Sequence, residues 1–139
     1  MVTDVFPVKL SLRIDWSEMD LFGHVNNVAF LKYVQAARVN FWEHTSIQNE
    51  LNTDRKGPIL ASVNCQFKKP LHYPGNIIIQ TRVEFMKTTS FGFHHQIIDH
   101  HGEIASEAHD VIVMYDFNTR EKLPLAETLR QELTLAKTN

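Results

Sequence analysis

The chain changes character at Asp20-Leu21-Phe22-Gly23-His24-Val25-Asn26-Asn27. On the N-terminal side, residues 8–16 alternate. Leu10, Leu12, Ile14 and Trp16 fall on one face and Lys9, Ser11, Arg13 and Asp15 on the other, the period of a half-buried strand. On the C-terminal side, Phe30, Leu31, Val34, Ala37, Phe41 and Trp42 recur at helical spacing, with Lys32, Gln35, Arg38 and Glu43 between them. The polar loop that joins the two has neither period. Asn26 or Asn27 is a natural N-cap for the helix, which is expected to end near His44 to Ser46.

Outward from this junction the pattern is that of strands. The polar stretch up to Gly57-Pro58 is expected to be a loop. Residues 59–69 alternate, with Ile59, Ala61, Val63, Cys65 and Phe67 predicted on one face. Tyr73-Pro74-Gly75-Asn76 is a turn, after which strands are expected at about 76–87, 90–99 and 103–117. Asp99-His100-His101-Gly102 makes a hairpin between the last two. After Pro124, Leu125, Leu129 and Leu133 share one helical face, which predicts a short amphipathic helix packed on the outside. Short connections between successive strands imply an antiparallel sheet of about five strands wrapped around one central helix, an α+β fold. Such a sheet has an open edge, and an edge is safest when a second copy covers it, so a dimer with a continuous sheet is expected.

Composition sets the outer limits. The chain has 139 residues, 43% of them hydrophobic and 22% charged, enough for one ordinary core and one domain over 1–139. Disorder, collagen-like repeats and coiled coil are excluded. A net charge of −2 gives no basic footprint for nucleic acid. The single Cys forbids an intrachain disulfide and points to a reducing compartment. Met1 to Pro7 carry no basic segment followed by an apolar run, and no window approaches the ~20 apolar residues of a membrane span, so a cytoplasmic location is the expectation.

Chemistry is concentrated at the strand-to-helix junction. A helix start offers unpaired N–H groups and a partial positive charge, which can hold an anion or the oxygen that becomes negative when a carbonyl is attacked. Asp20 could then act as nucleophile, or as base for an attacking water. The same residue types also serve purely local ends, with Asp20 and Asn26 capping turns and His24 packed in the loop.

Arg13 to Asn27, with Phe30-Leu31-Lys32-Tyr33, Ala37-Arg38, Cys65 to Leu71, Tyr73-Pro74-Gly75 and Thr89-Ser90-Phe91, resembles the signature of hotdog-fold acyl-CoA thioesterases of the 4-hydroxybenzoyl-CoA thioesterase-like group. The resemblance implies that Asp20 is the catalytic aspartate and Gly23 the turn that lets the loop approach the thioester. It implies that the Asn27 backbone N–H polarises the thioester carbonyl and that His24 lines the site. It also implies an active site formed between two subunits of a dimer or a dimer of dimers, without metal or cofactor. The pattern departs at Phe30, where many relatives have Tyr, and at Gln35, where many have Glu, which leaves Asp20 as the sole obvious acid.

Other residues weigh less. Lys68, Lys69, Arg82 and Lys87 could neutralise coenzyme A phosphates, Asn26 could contact the substrate, and Ser62, Asn64 and Ser90 could contact the thioester arm or the partner subunit. Cys65 falls among apolar alternation partners and is expected in the core. His94 and His95 point to opposite faces of a strand, His100 and His101 sit at a hairpin tip, and no spacing resembles a structural zinc site. The reading is therefore an acyl-CoA thioesterase. The rival readings are hydrolysis of an acyl group carried on acyl-carrier protein, or a non-catalytic acyl-CoA-binding subunit.

Overall fold

The computed structural model describes residues 5–137; the segment Met1 to Asp4, read above for targeting signals, and residues 138–139 lie outside the described part. The order of elements is β1 (Val8–Arg13), a 3-10 turn (Trp16–Glu18), α1 (Asn27–Glu43), α2 (Ile47–Asp54), β2 (Lys56–Phe67), β3 (Asn76–Met86), β4 (Ser90–Ile98), β5 (Ile104–Asp116), β6 (Glu121–Lys122) and α3 (Glu127–Leu135). The strands form one antiparallel sheet in the order β1-β3-β4-β5-β2, with the two-residue β6 paired to β5. This is the α+β hotdog architecture, a sheet curled around one long helix.

α1 starts where the sequence predicts. The Asn26 side chain accepts from the Ala29 amide at 2.8 Å, satisfying one of the orphan donors of the first turn. Its buried face, with Ala29, Phe30, Tyr33, Val34, Ala37 and Phe41, lies against alternate residues of β3 and β4, among them Ile79, Val83, Phe93 and Ile97. A polar fastening crosses that apolar layer. Arg38 Nη1 donates to Asp110 Oδ2 at 3.0 Å, His95 Nε2 meets the same oxygen at 2.6 Å, and Thr81 Oγ1 is 2.8 Å from His95 Nδ1. All four residues are buried, and Asp110 Oδ1 has no partner among the described residues.

The core divides into two clusters. One, with Ile14, Val25, Phe30, Tyr33 and Leu71, lies under the start of α1. The other, with Phe41, Phe91, Phe93, Leu129 and Leu133, lies under its end. α3 closes that second cluster: Leu125, Leu129 and Leu133 are buried in it, so the terminal helix completes the core, where a helix merely resting on the outside was expected.

Several expectations change. β1 stops at Arg13, because Asp15 caps the 3-10 turn through its side chain, and Trp16 is left 70% exposed. The polar stretch expected as a loop holds α2, whose one buried residue, Ile47, gives almost no periodic signal, and β2 begins at Lys56. β2 also carries a register shift between Leu60 and Ser62, so its two halves differ by one residue in facing. Leu60, Val63, Cys65 and Phe67 pair with Ile112, Asp110, Ala108 and Ser106 on the inner side, while Ile59, Ser62 and Asn64 face outward with Val113, Val111 and His109. Ile59 and Val63, expected on one face, are therefore on opposite ones.

Candidate active site

The loop before α1 is a closed structure. Met19 and Val25 form a bridge, the Asp20 amide donates to the His24 carbonyl at 2.6 Å, and the Asn26 amide and side-chain Nδ2 both donate to the Glu18 carbonyl at 2.9 Å. Gly23 sits at the turn with φ +81°, a conformation that a residue with Cβ rarely adopts. Glu18 anchors the loop from below. It is buried and accepts from the Asp15 amide (2.8 Å), the Tyr33 hydroxyl (2.7 Å) and Lys32 Nζ (3.2 Å). Burial would raise its pKa, but these three donors outweigh it and hold Glu18 below the usual glutamate range. The same desolvation and the Glu18 charge push the Tyr33 phenol far up, so it stays a donor.

Asp20 Oδ1 accepts from the amides of Phe22 (2.8 Å) and His24 (3.0 Å). The His24 N–H, followed by the Phe22 N–H and the nearby imidazole, outweighs slight desolvation and lowers the Asp20 pKa below its ordinary value. Asp20 is thus an ionised carboxylate at neutral pH. It lines a cavity of about 300 Å³ with His24, Val25, Asn27, Phe30, Phe67, Lys68, Lys69 and Pro70. In the first turn of α1, the Asn26 side chain takes the Ala29 amide, while the amides of Asn27 and Val28 have no protein partner among the described residues. One cavity therefore holds an ionised carboxylate and the residue that opens a helix with free N–H groups. That combination can place an attacking oxygen and a charge-stabilising donor on the same carbonyl.

Asp20, His24, Asn27, Lys68 and Lys69 come together here. Gly23 shapes the loop without lining the cavity. Both lysines are ion-paired, Lys68 with Glu107 at 3.2 Å and Lys69 with Glu103. Asn26 is taken up by the helix cap and by Glu18. Ser62 and Asn64 face the outer side of the sheet, and Ser90 begins β4 opposite Val113, so none of these three reaches this cavity. Sequence reading passed over Glu18, the Phe30–Phe67 pair whose rings meet edge-on at 5.1 Å, and His72, which packs on His24 with centroids 5.0 Å apart. Glu18 had one available signal, the Asp15-x-x-Glu18 capping box.

Comparison with known proteins gives the family. Residues 14–133 match the family model of the thioesterase-like superfamily. The long-chain acyl-CoA thioesterase FadM of Escherichia coli (strain K12) is 20% identical over 128 residues, covering 91% of this chain and 96% of that protein. A predicted thioesterase from Bacillus stearothermophilus shares the fold with a TM-score of 0.86 at 19% identity, over 94% of this chain and 96% of that one. A 1,4-dihydroxy-2-naphthoyl-CoA thioesterase from Synechocystis superposes with a TM-score of 0.81 at 18% identity, over 91% and 95% of the two chains. Family match and fold converge on one conclusion: this chain belongs to the thioesterase-like superfamily and is a thioester hydrolase.

Proposed function

We propose that the protein hydrolyses an acyl-CoA thioester to a carboxylic acid and free coenzyme A, with Asp20 as the attacking or water-activating group and the Asn27 N–H as oxyanion donor. The observation that carries this reading is that Asp20 and Asn27 line one cavity, with no partner for the Asn27 amide among the described residues. The names of FadM and of the Synechocystis enzyme, both acyl-CoA thioesterases, favour coenzyme A as the carrier.

The thioester oxygen accepts the Asn27 N–H, which stabilises the charge that develops there. The Asp20 carboxylate takes a proton from water as the water oxygen bonds to the carbonyl carbon, or attacks that carbon itself to give an anhydride that water then opens. Collapse of the oxyanion breaks the C–S bond, and the sulfur leaves as thiolate and takes up a proton. His24 lines the cavity beside this carbon and Gly23 holds the loop in place. The Lys68 and Lys69 stems border the mouth, where coenzyme A carries its phosphates.

The second part of the proposal is a homodimer. Among the described residues β2 ends the sheet with an unpaired edge, and Leu60, Val63 and Phe67 are exposed along it, Phe67 at the cavity wall. A second copy paired along β2 would extend the sheet and close the open side of the cavity.

The test is a hydrolysis screen over short, medium, long-chain and aromatic acyl-CoAs. Asp20→Asn is expected to lower kcat by about 10²–10⁴ while acyl-CoA binding persists. Normal turnover in that variant, or no hydrolysis by the native protein anywhere in the panel, overturns the reading.

A further inference from the structure

The outer face of the sheet, on the side away from α1, carries a polar cluster that hydrolysis does not use. His94 on β4 and His109 on β5 are directly opposite in register, and their rings stack with centroids 4.4 Å apart and planes 14° from parallel. Glu84 joins them from β3. It sits in the register shift between Val83 and Phe85, and this bulge lets it reach across β4 so that its Oε2 lies 3.0 Å from His109 Nδ1. One donor atom from each of the three residues lies within 4.8 Å of the other two.

We propose that Glu84, His94 and His109 form a divalent transition-metal site, with zinc the ion that this donor set suits. Two neutral imidazoles and a carboxylate supply three ligands and leave a fourth position for water. The 3.0 Å between Glu84 Oε2 and His109 Nδ1 is close to the separation of two ligands that share one ion at about 2.0–2.2 Å.

The surroundings already fix one ligand. His94 Nε2 lies 2.9 Å from Glu107 Oε1, which is itself held by Gln96 Nε2 at 2.8 Å. A carboxylate on one ring nitrogen sets the tautomer and leaves the lone pair on the other, the arrangement that orients metal-bound histidines. That other nitrogen, His94 Nδ1, accepts from Arg82 Nε at 3.2 Å. Arg82 is therefore the internal competitor for the ion. Its guanidinium also packs over the Phe6 ring at 5.7 Å, a contact that can keep it when it gives up His94. A bound ion would tie β3, β4 and β5 together across the middle of the sheet.

The experiment titrates the metal-free full-length protein with Zn²⁺ against a chromophoric chelator and measures thermal unfolding with and without the ion. Expected are one Zn²⁺ per chain, a rise in Tm on binding, and affinity weakened by about tenfold or more in His109→Ala and Glu84→Gln, both at half-exposed positions that leave the fold intact. His101→Ala, at the hairpin tip, and His72→Ala, beside the cavity loop, leave affinity unchanged. Arg82→Gln tightens binding. The proposal is overturned if no saturable binding occurs, or if Zn²⁺ binding survives His109→Ala at native affinity.

Discussion

Arg38 on the central helix and Asp110 on β5 meet inside the core through a 3.0 Å bond from Nη1 to Oδ2, and the same oxygen takes His95 from β4. One carboxylate oxygen thus fastens the helix to two strands. Removing the guanidinium would leave the buried Asp110 side chain with His95 on one oxygen and, among the described residues, nothing on the other. Arg38→Met is expected to cost about 3–5 kcal/mol in denaturant unfolding, and replacing Arg38 and Asp110 together by apolar residues should recover most of that loss. A single variant within 1 kcal/mol of the native protein would show that the pair does not hold the helix.

The proposed oxyanion donor can be tested without disturbing the helix. Asn27 is the first helical residue, its N–H has no partner among the described residues, and Asn26 before it has φ −71° and ψ 158°, which a following proline accepts. Asn27→Pro deletes the N–H together with the Asn27 carboxamide, so Asn27→Ala, which loses the carboxamide alone, is the reference. A drop in kcat of about 10²–10³ is expected, with helical circular dichroism unchanged. Unaltered kcat would move the oxyanion site away from this amide.

Glu18 makes stability depend on pH. Its folded pKa lies below the ordinary value of 4.5, so its contribution is fully present above that value and is lost as pH falls through the lower folded value. Glu18→Gln is expected to destabilise by about 1–3 kcal/mol at pH 7, because it loosens the bonds to Tyr33, Lys32 and the Asp15 amide. The gap between variant and native protein should shrink below pH 4.5, which unfolding curves across pH would record.

The β2 edge provides the oligomer test. A charge on the exposed inner side of this strand opposes pairing with a second copy. Val63→Glu is expected to convert a dimer to a monomer in sedimentation velocity and to reduce hydrolysis in parallel. A native protein that sediments as a monomer would remove the dimer from the proposal.

The sequence carried the hotdog order because its strong signals are local. The change of period at Val28, the Asn26 cap and the Asp99 to Gly102 hairpin are each decided within a few residues. α2 was hidden because only Ile47 of its eight residues is buried, and the facing of Ile59 because a register shift leaves no mark in composition. At the site, Asp20, His24 and Asn27 lie in one short stretch, residues 20–27, and could be read together, whereas Phe67 and His72 reach the loop only through the fold. The Glu84, His94 and His109 cluster was illegible for the same reason. Its donors come from three strands, and their meeting depends on strand register and one bulge.

The division of the core into two clusters separates durability from chemistry. Among the described residues the hemisphere sealed by α3 shares no core side chain with the loop that presents Asp20, so its packing can be tightened or loosened with little effect on the groups proposed to react. Adaptation to heat could proceed at that pole alone, while substrate preference evolves at the other.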